Sequence, residues 1–196
     1  MKLFDFHTHW LSAPPGEAIV CLPRHVVEAP EEFLPQPGAL YSVGVHPWWT
    51  ADDCGRLLVG AEGLCRHRQV VAIGEVGFDR LRGSLERQVD VFRKHAEWAE
   101  ELRKPLTIHC VRAFDVLLRL RAELRPTMRW TVHGFRGKAS LACQLLEADF
   151  DLSFGPLFNA EALKKVPEGR FHVETDDSGL SIEEVWRRVA LAKNQR

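Results

Sequence analysis

Asp5-Phe6-His7-Thr8-His9 follows a short apolar start at Leu3 and Phe4 and reads as the end of a first β-strand. Side chains alternate along a strand, so His7 and His9, two residues apart, point to the same side. Two imidazoles that close together on a rigid element can share one divalent ion. The same arrangement, an apolar strand and then a histidine or carboxylate, recurs down the chain. Residues 18–22 form a second strand, and 40–45 a third that ends in His46. The fourth, 70–74, ends in Glu75, the fifth, 105–108, in His109, and the sixth, 129–132, in His133. Residues 150–154 make a seventh, and 171–175 an eighth that ends in Asp176.

Helical signals fall between most of these strands. Leu85, Val89, Phe92, Ala96 and Ala99 recur at helical spacing, and Ser84 can cap the first turn of a helix over residues 84–102. Further helices are expected over 52–68, 114–124 (stopped by Pro126), 138–148 and, briefly, 161–165. The last begins at Ser181, where Ser181-Ile182-Glu183-Glu184 is a capping box and Ile182, Val185 and Val189 form the apolar stripe. Pro23, Pro30, Pro35 and Pro37 leave room for no more than a turn at 31–34, so a helix is expected to be missing between the second and third strands. Strands alternating with helices in this way predict an α/β chain folded as one compact (β/α)8 TIM barrel. At 196 residues it is shorter than the typical barrel of about 250. An open doubly wound sheet would have to gather the same polar residues from strands lying far apart.

A net charge of −1 carries no basic surplus for a long grip on a polyanion. The five cysteines are scattered, with no C-x-x-C pair, as suits reduced thiols. With no apolar stretch long enough for a membrane span and no leader-like start, the expected location is the cytoplasm.

In barrels of this kind the active site lies beyond the C-terminal ends of the strands. Here those positions hold His7, His9, His46, Glu75, His109, His133 and Asp176, five of the nine histidines among them. His25, His67, His95 and His172 read as ordinary core or surface residues. Imidazoles and carboxylates without thiolates suit zinc, manganese, iron or a magnesium-containing pair. Six strong ligands exceed what one catalytic zinc takes, so two ions bridged by Glu75 are the economical reading. Two dications bring four positive charges against two from Glu75 and Asp176. A hydroxide and an anionic substrate can balance the remainder, which favours phosphoester hydrolysis.

Asp5-Phe6-His7-Thr8-His9, Gly44-Val45-His46-Pro47, Gly74-Glu75-Val76-Gly77-Phe78-Asp79, Ile108-His109, Val132-His133-Gly134-Phe135 and Glu174-Thr175-Asp176 stand in an order that resembles the TatD-like metal-dependent deoxyribonucleases, amidohydrolase-like TIM barrels. The resemblance spans nearly the whole chain. It implies two divalent ions (Mg, Mn or Zn), with His7, His9, Glu75 and Asp176 at one and Glu75, His109 and His133 at the other. Asp176 would then orient or deprotonate the attacking water, with Glu174, of the same strand parity, as its support. The implied substrate is DNA ends or short single strands, with no obligate protein partner. Trp10, Trp48 and Trp49 are candidates for stacking on bases, Arg112 and Arg136 for a phosphate clamp, and His46 for substrate contact.

The chain departs from the family pattern in four places. It is short. Arg112 lies three residues after the fifth-strand histidine, where the family places its basic residue two after. Gly134-Phe135-Arg136-Gly137 replaces Cys-Phe-Ser-Gly, and Asp177-Ser178-Gly179 replaces Ala-Pro-Tyr. An amidohydrolase or lactonase is the alternative reading, although no lysine ends a strand to carry the carbamate that such enzymes often use. A non-catalytic scaffold that retains metal is a third.

Overall fold

The computed structural model describes residues 3–50 and 54–194. Eight strands form one parallel sheet in chain order: β1 (Asp5–Thr8), β2 (Ala18–Cys21), β3 (Leu40–Val43), β4 (Val70–Asp79), β5 (Leu106–Val111), β6 (Trp130–Val132), β7 (Phe150–Phe154) and β8 (Phe171–Val173). The sheet returns on itself through a parallel bridge between Thr8 and Asp176. Seven α-helices alternate with the strands among the described residues: α1 (Arg24–Glu28), α2 (Gly55–Cys65), α3 (Leu85–Leu102), α4 (Phe114–Leu124), α5 (Ala139–Glu147), α6 (Ala160–Lys165) and α7 (Ile182–Asn194). The architecture is the (β/α)8 TIM barrel. Its core is the layer between strands and helices, where Trp130, Phe78, Phe92, Phe150 and Phe154 are fully buried. Among the described residues no helix is long and apolar enough to cross a membrane.

Three features differ from the sequence expectation. β4 does not end at Gly74. It runs on through Glu75 to Asp79 and pairs with β5 as far as Val111. Glycine makes this possible. A Cβ at Gly77 would lie 2.0 Å from the His109 carbonyl oxygen, and one at Gly74 would lie 2.4 Å from that of Thr107. Both glycines also have φ near +150°, at +147° and +148°. The second difference is the place of the missing helix. The proline-rich stretch still fits the five-residue α1 and a 3-10 turn over Pro30–Glu32, whereas residues 9–17 between β1 and β2 contain turns and no helix. Pro14-Pro15-Gly16 leaves too few residues there for one. Third, α2 is described only from Gly55, and the expected start at Asp52 lies outside the described residues.

Capping follows the sequence. Ser84 Oγ accepts from the Arg87 amide at 3.4 Å, and Ser181 Oγ from the Glu184 amide at 3.3 Å. The Glu184 carboxylate pairs with Arg187 and Arg188 on the next turn, so the reciprocal half of the capping box is not made. α3 turns Val91, Phe92, His95, Ala96 and Ala99 inward.

His95 fixes the end of β3. Its Nε2 accepts from the Val45 amide at 3.0 Å, and Nδ1 donates to the Val91 carbonyl at 2.8 Å. Complete burial pushes its pKa down to about 4 by stripping water from the charged form, against the raising effect of its bond to the Val91 carbonyl. The unfolded chain, with a pKa near 6.5, therefore binds the extra proton more readily than the native one. Stability should be full above about pH 6.5 and fall as the pH drops toward 4, by roughly 3 kcal/mol from this group. Denaturant titrations across that window should show this component absent in His95→Gln, and an unchanged pH slope in the variant would contradict it.

Candidate metal centre

Glu75 stands at the centre of the cluster at the C-terminal ends of the strands. Its Oε1 lies 2.7 Å from His109 Nδ1, 2.7 Å from His133 Nε2 and 3.1 Å from His46 Nε2. Its Oε2 faces His9 Nε2 at 3.3 Å and His7 Nε2 at 3.5 Å. Asp176 Oδ1 lies near the same two imidazoles, 3.5 Å from His9 and 3.9 Å from His7. One carboxylate thus divides five imidazoles into two sets.

The spacing suits cations. Three overlapping groups bring one donor atom per residue within 4.8 Å of one another: His7, His9, Cys21 and Glu75; His7, His133 and Asp176; and His46, Glu75 and His109. His7 is fully buried, yet neither ring nitrogen has a hydrogen-bond partner, and His109 Nε2 is unpartnered as well. A buried polar atom left in that state costs about 1–3 kcal/mol, a cost that a cation shared with Glu75 and Asp176 removes. The residues present therefore fit divalent metal.

The electrostatics are those of a pocket holding negative charge. Burial by itself would raise the pKa of Glu75, but the His133 charge and hydrogen bonds from His109, His133 and His46 hold it well below the usual carboxylate range. His133 is likewise opposed by burial and raised well above an ordinary histidine by Glu75 and Glu174. His46 moves the other way, since its burial outweighs the attraction of Glu75.

Backbone bonds set the ligand side chains. The Asp176 amide donates to the His7 carbonyl at 3.0 Å, and the His9 amide to the Asp176 carbonyl at 3.2 Å. Asp176 takes φ +55°, a left-handed conformation that aspartate tolerates better than most residues. Below it, Asp5 receives the Thr175 amide at 3.0 Å and the Thr175 hydroxyl at 2.6 Å. Glu174 Oε1 accepts from the Gly134 amide at 2.6 Å and lies 3.3 Å from His133 Nδ1, so it orients the ring whose other nitrogen meets Glu75.

The expected substrate residues are distributed unevenly. Trp48 and Trp49 line the metal-side cavity of about 310 Å³ together with His46 and Asp177. His46 stands closer to the cluster than a substrate contact requires, directly on Glu75. Arg112 and Arg136 line an adjoining cavity of about 690 Å³ that shares Trp48, His109, His133 and Asp176 with the first. Trp10 joins neither. It borders an apolar cavity of about 440 Å³ beside Leu180 and Ile182, because, one residue after His9, it turns away from the ligand side. Two residues were missed by sequence reasoning. Asp79 accepts from Trp48 Nε1 at 2.6 Å and lies 3.8 Å from His109 Nε2, and its signal was the parity it shares with Glu75 along one strand. Cys21 is the last residue of β2, the position that on other strands drew attention to a histidine or carboxylate.

Comparisons with known proteins agree with this fold. Residues 21–179 match the family model described as TatD related DNase. An uncharacterized metal-dependent hydrolase, YabD of Bacillus subtilis, is 31% identical over 169 residues, covering 81% of this chain and 66% of its own length. The 3'-5' ssDNA/RNA exonuclease TatD of Erwinia billingiae is 36% identical over 106 residues, 52% of this chain and 41% of that protein. The chain spans 57% to 66% of the length of three curated relatives that it matches. The crystal structure of YJJV, a TatD homolog from Escherichia coli K12, superposes with a TM-score of 0.80 at 19% identity, covering 100% of this chain and 92% of that one, and so shares the fold. With four-fifths of its residues inside the matched model and the barrel in common, the chain belongs to the TatD-related DNase family.

Proposed function

We propose that the protein is a two-cation phosphodiesterase that hydrolyses DNA or short oligonucleotides at ends or single-stranded stretches. The observation that carries this reading is Glu75, whose two oxygens face two separate sets of imidazoles. His7, His9, Glu75 and Asp176 would hold one ion, and Glu75, His109 and His133 the other, with His46 beside the second. Magnesium, manganese or zinc bound there supplies Lewis acidity toward the phosphoryl oxygens and lowers the pKa of water. The family match and the printed activity of the Erwinia relative support nucleic acid as the substrate.

The chain's own residues account for the rest. Asp176, with its backbone pinned between β1 and β8, orients the attacking water and takes up its proton. Trp48 is held by Asp79 and covered by the Arg82 guanidinium 4.8 Å from its ring centroid, which leaves a half-exposed indole for a base to stack on. Arg112 and Arg136, on the adjoining cavity, receive a neighbouring phosphate. All five cysteines are unpaired, which fits a reducing cytoplasm.

Metal-stripped protein reconstituted with manganese or zinc should take up two ions per chain, and His133→Ala should lose one of them. Asp176→Asn keeps the shape and one ligating oxygen but loses the base, so turnover should fall about 100-fold or more even at saturating metal. Uptake of a single ion by wild type would overturn the two-cation reading. Near-normal turnover of Asp176→Asn in excess metal would reduce Asp176 to a ligand.

The net charge of −1 leaves few phosphate contacts for a long duplex. Single-stranded and frayed ends should therefore be degraded well ahead of internal duplex positions. Efficient cutting of covalently closed duplex circles, followed by gel electrophoresis, would contradict this preference.

A further inference from the structure

Cys21 closes β2 directly beneath the cluster. It is 4% exposed, and its Sγ lies 4.0 Å from the Gly74 carbonyl oxygen. One donor atom from each of Cys21, His7, His9 and Glu75 falls within a mutual 4.8 Å. Donors bound to one ion at about 2.0–2.3 Å stand some 3–4.5 Å apart, so small side-chain adjustments suffice. The second observation is His7, fully buried in the same group with both ring nitrogens unpartnered. Among the described residues the group around His46 and His109 includes no sulfur donor.

We propose that Cys21 is a further ligand of the His7–His9 position and makes that position selective for a thiophilic cation such as zinc over magnesium or manganese. This rests on the two-cation reading above and concerns one of its two positions. The thiol gives its proton to solvent as the ion binds, and the new sulfur–metal bond adds a third negative charge to those of Glu75 and Asp176. Magnesium and manganese favour oxygen donors and gain little from sulfur, whereas zinc and cobalt bind thiolate well. The two positions would then differ in kind, one with a thiolate donor and one with imidazole and carboxylate donors alone.

Cobalt(II) titrated into the metal-stripped full chain reads both propositions separately. Visible ligand-field bands report occupancy, and a near-ultraviolet sulfur-to-cobalt charge-transfer band reports the thiolate. The band is expected in wild type and in Cys110→Ser and absent in Cys21→Ser. In zinc–manganese competition, Cys21→Val should lower the zinc affinity of this position by about 10-fold or more, with a smaller loss for manganese. X-ray absorption of zinc-loaded wild type should show a sulfur scatterer, which requires no variant to fold. Ligand-field bands without charge transfer, or charge transfer that survives Cys21→Ser, would overturn the role of Cys21 and leave the two-cation reading standing. Failure to bind cobalt at all would remove both.

Discussion

A barrel closes only where its last strand meets its first, and here that meeting is narrow. β8 has three residues, and beyond it the chain is joined to β1 by the Thr8–Asp176 bridge, two backbone hydrogen bonds and the Asp5 carboxylate on Thr175. The residues that form this seam also carry or adjoin His7, His9 and Asp176. Closure and assembly of the site are therefore one event, since a seam that opened would separate Asp176 from both histidines. This explains why a buried carboxylate is tolerated at Asp5, where burial lifts its pKa to about 6 against the lowering effect of its bonds to Thr175. Its hydrogen bonds fix the two strands in register.

Much of this was legible in the sequence because strands in a parallel barrel are short, buried and followed by a polar end residue. His7, His9, Glu75, His109, His133 and Asp176 do converge, as their places on successive strands require. What was hidden depended on contacts between strands. Nothing in Gly74-Glu75-Val76-Gly77 taken locally says that β4 continues, because the reason lies in the carbonyls of Thr107 and His109 on β5. His46 could be placed at a strand end but not on Glu75, which needs the strand spacing. Trp10 was misdirected by its nearness in sequence to His9, and strand parity, already used for the histidines, points it elsewhere. Prolines are dense between β2 and β3, yet prolines at the edges of a short helix are harmless, and it is length that excludes a helix between β1 and β2.

The opposite end of the barrel is built differently. Asp151 at the start of β7 pairs with Arg170 and Arg129, and Asp149 pairs with Arg121, Arg129 and Arg170. His172 stacks on Phe6 with ring centroids 4.2 Å apart. Here both aspartates have guanidinium partners, so the pairing serves stability, in keeping with the usual division between the two faces of the fold. At the C-terminal face Glu75 and Asp176 have only imidazoles, and the unbalanced negative charge is left for cations.

The crowding around Glu75 has a mechanical corollary. A carboxylate on a loop can rotate between one-oxygen and two-oxygen coordination as charge moves during a reaction. Glu75 lies beyond the last residue of β4 paired with β3 and at an irregularity in the pairing with β5, yet its neighbours are crowded by glycine-width contacts and three imidazoles press on one of its oxygens. It behaves as a ruler of fixed length. With two cations held as proposed, any adjustment of the site would fall to Asp176 and His9 at the more open rim, which makes it asymmetric in compliance as well as in composition.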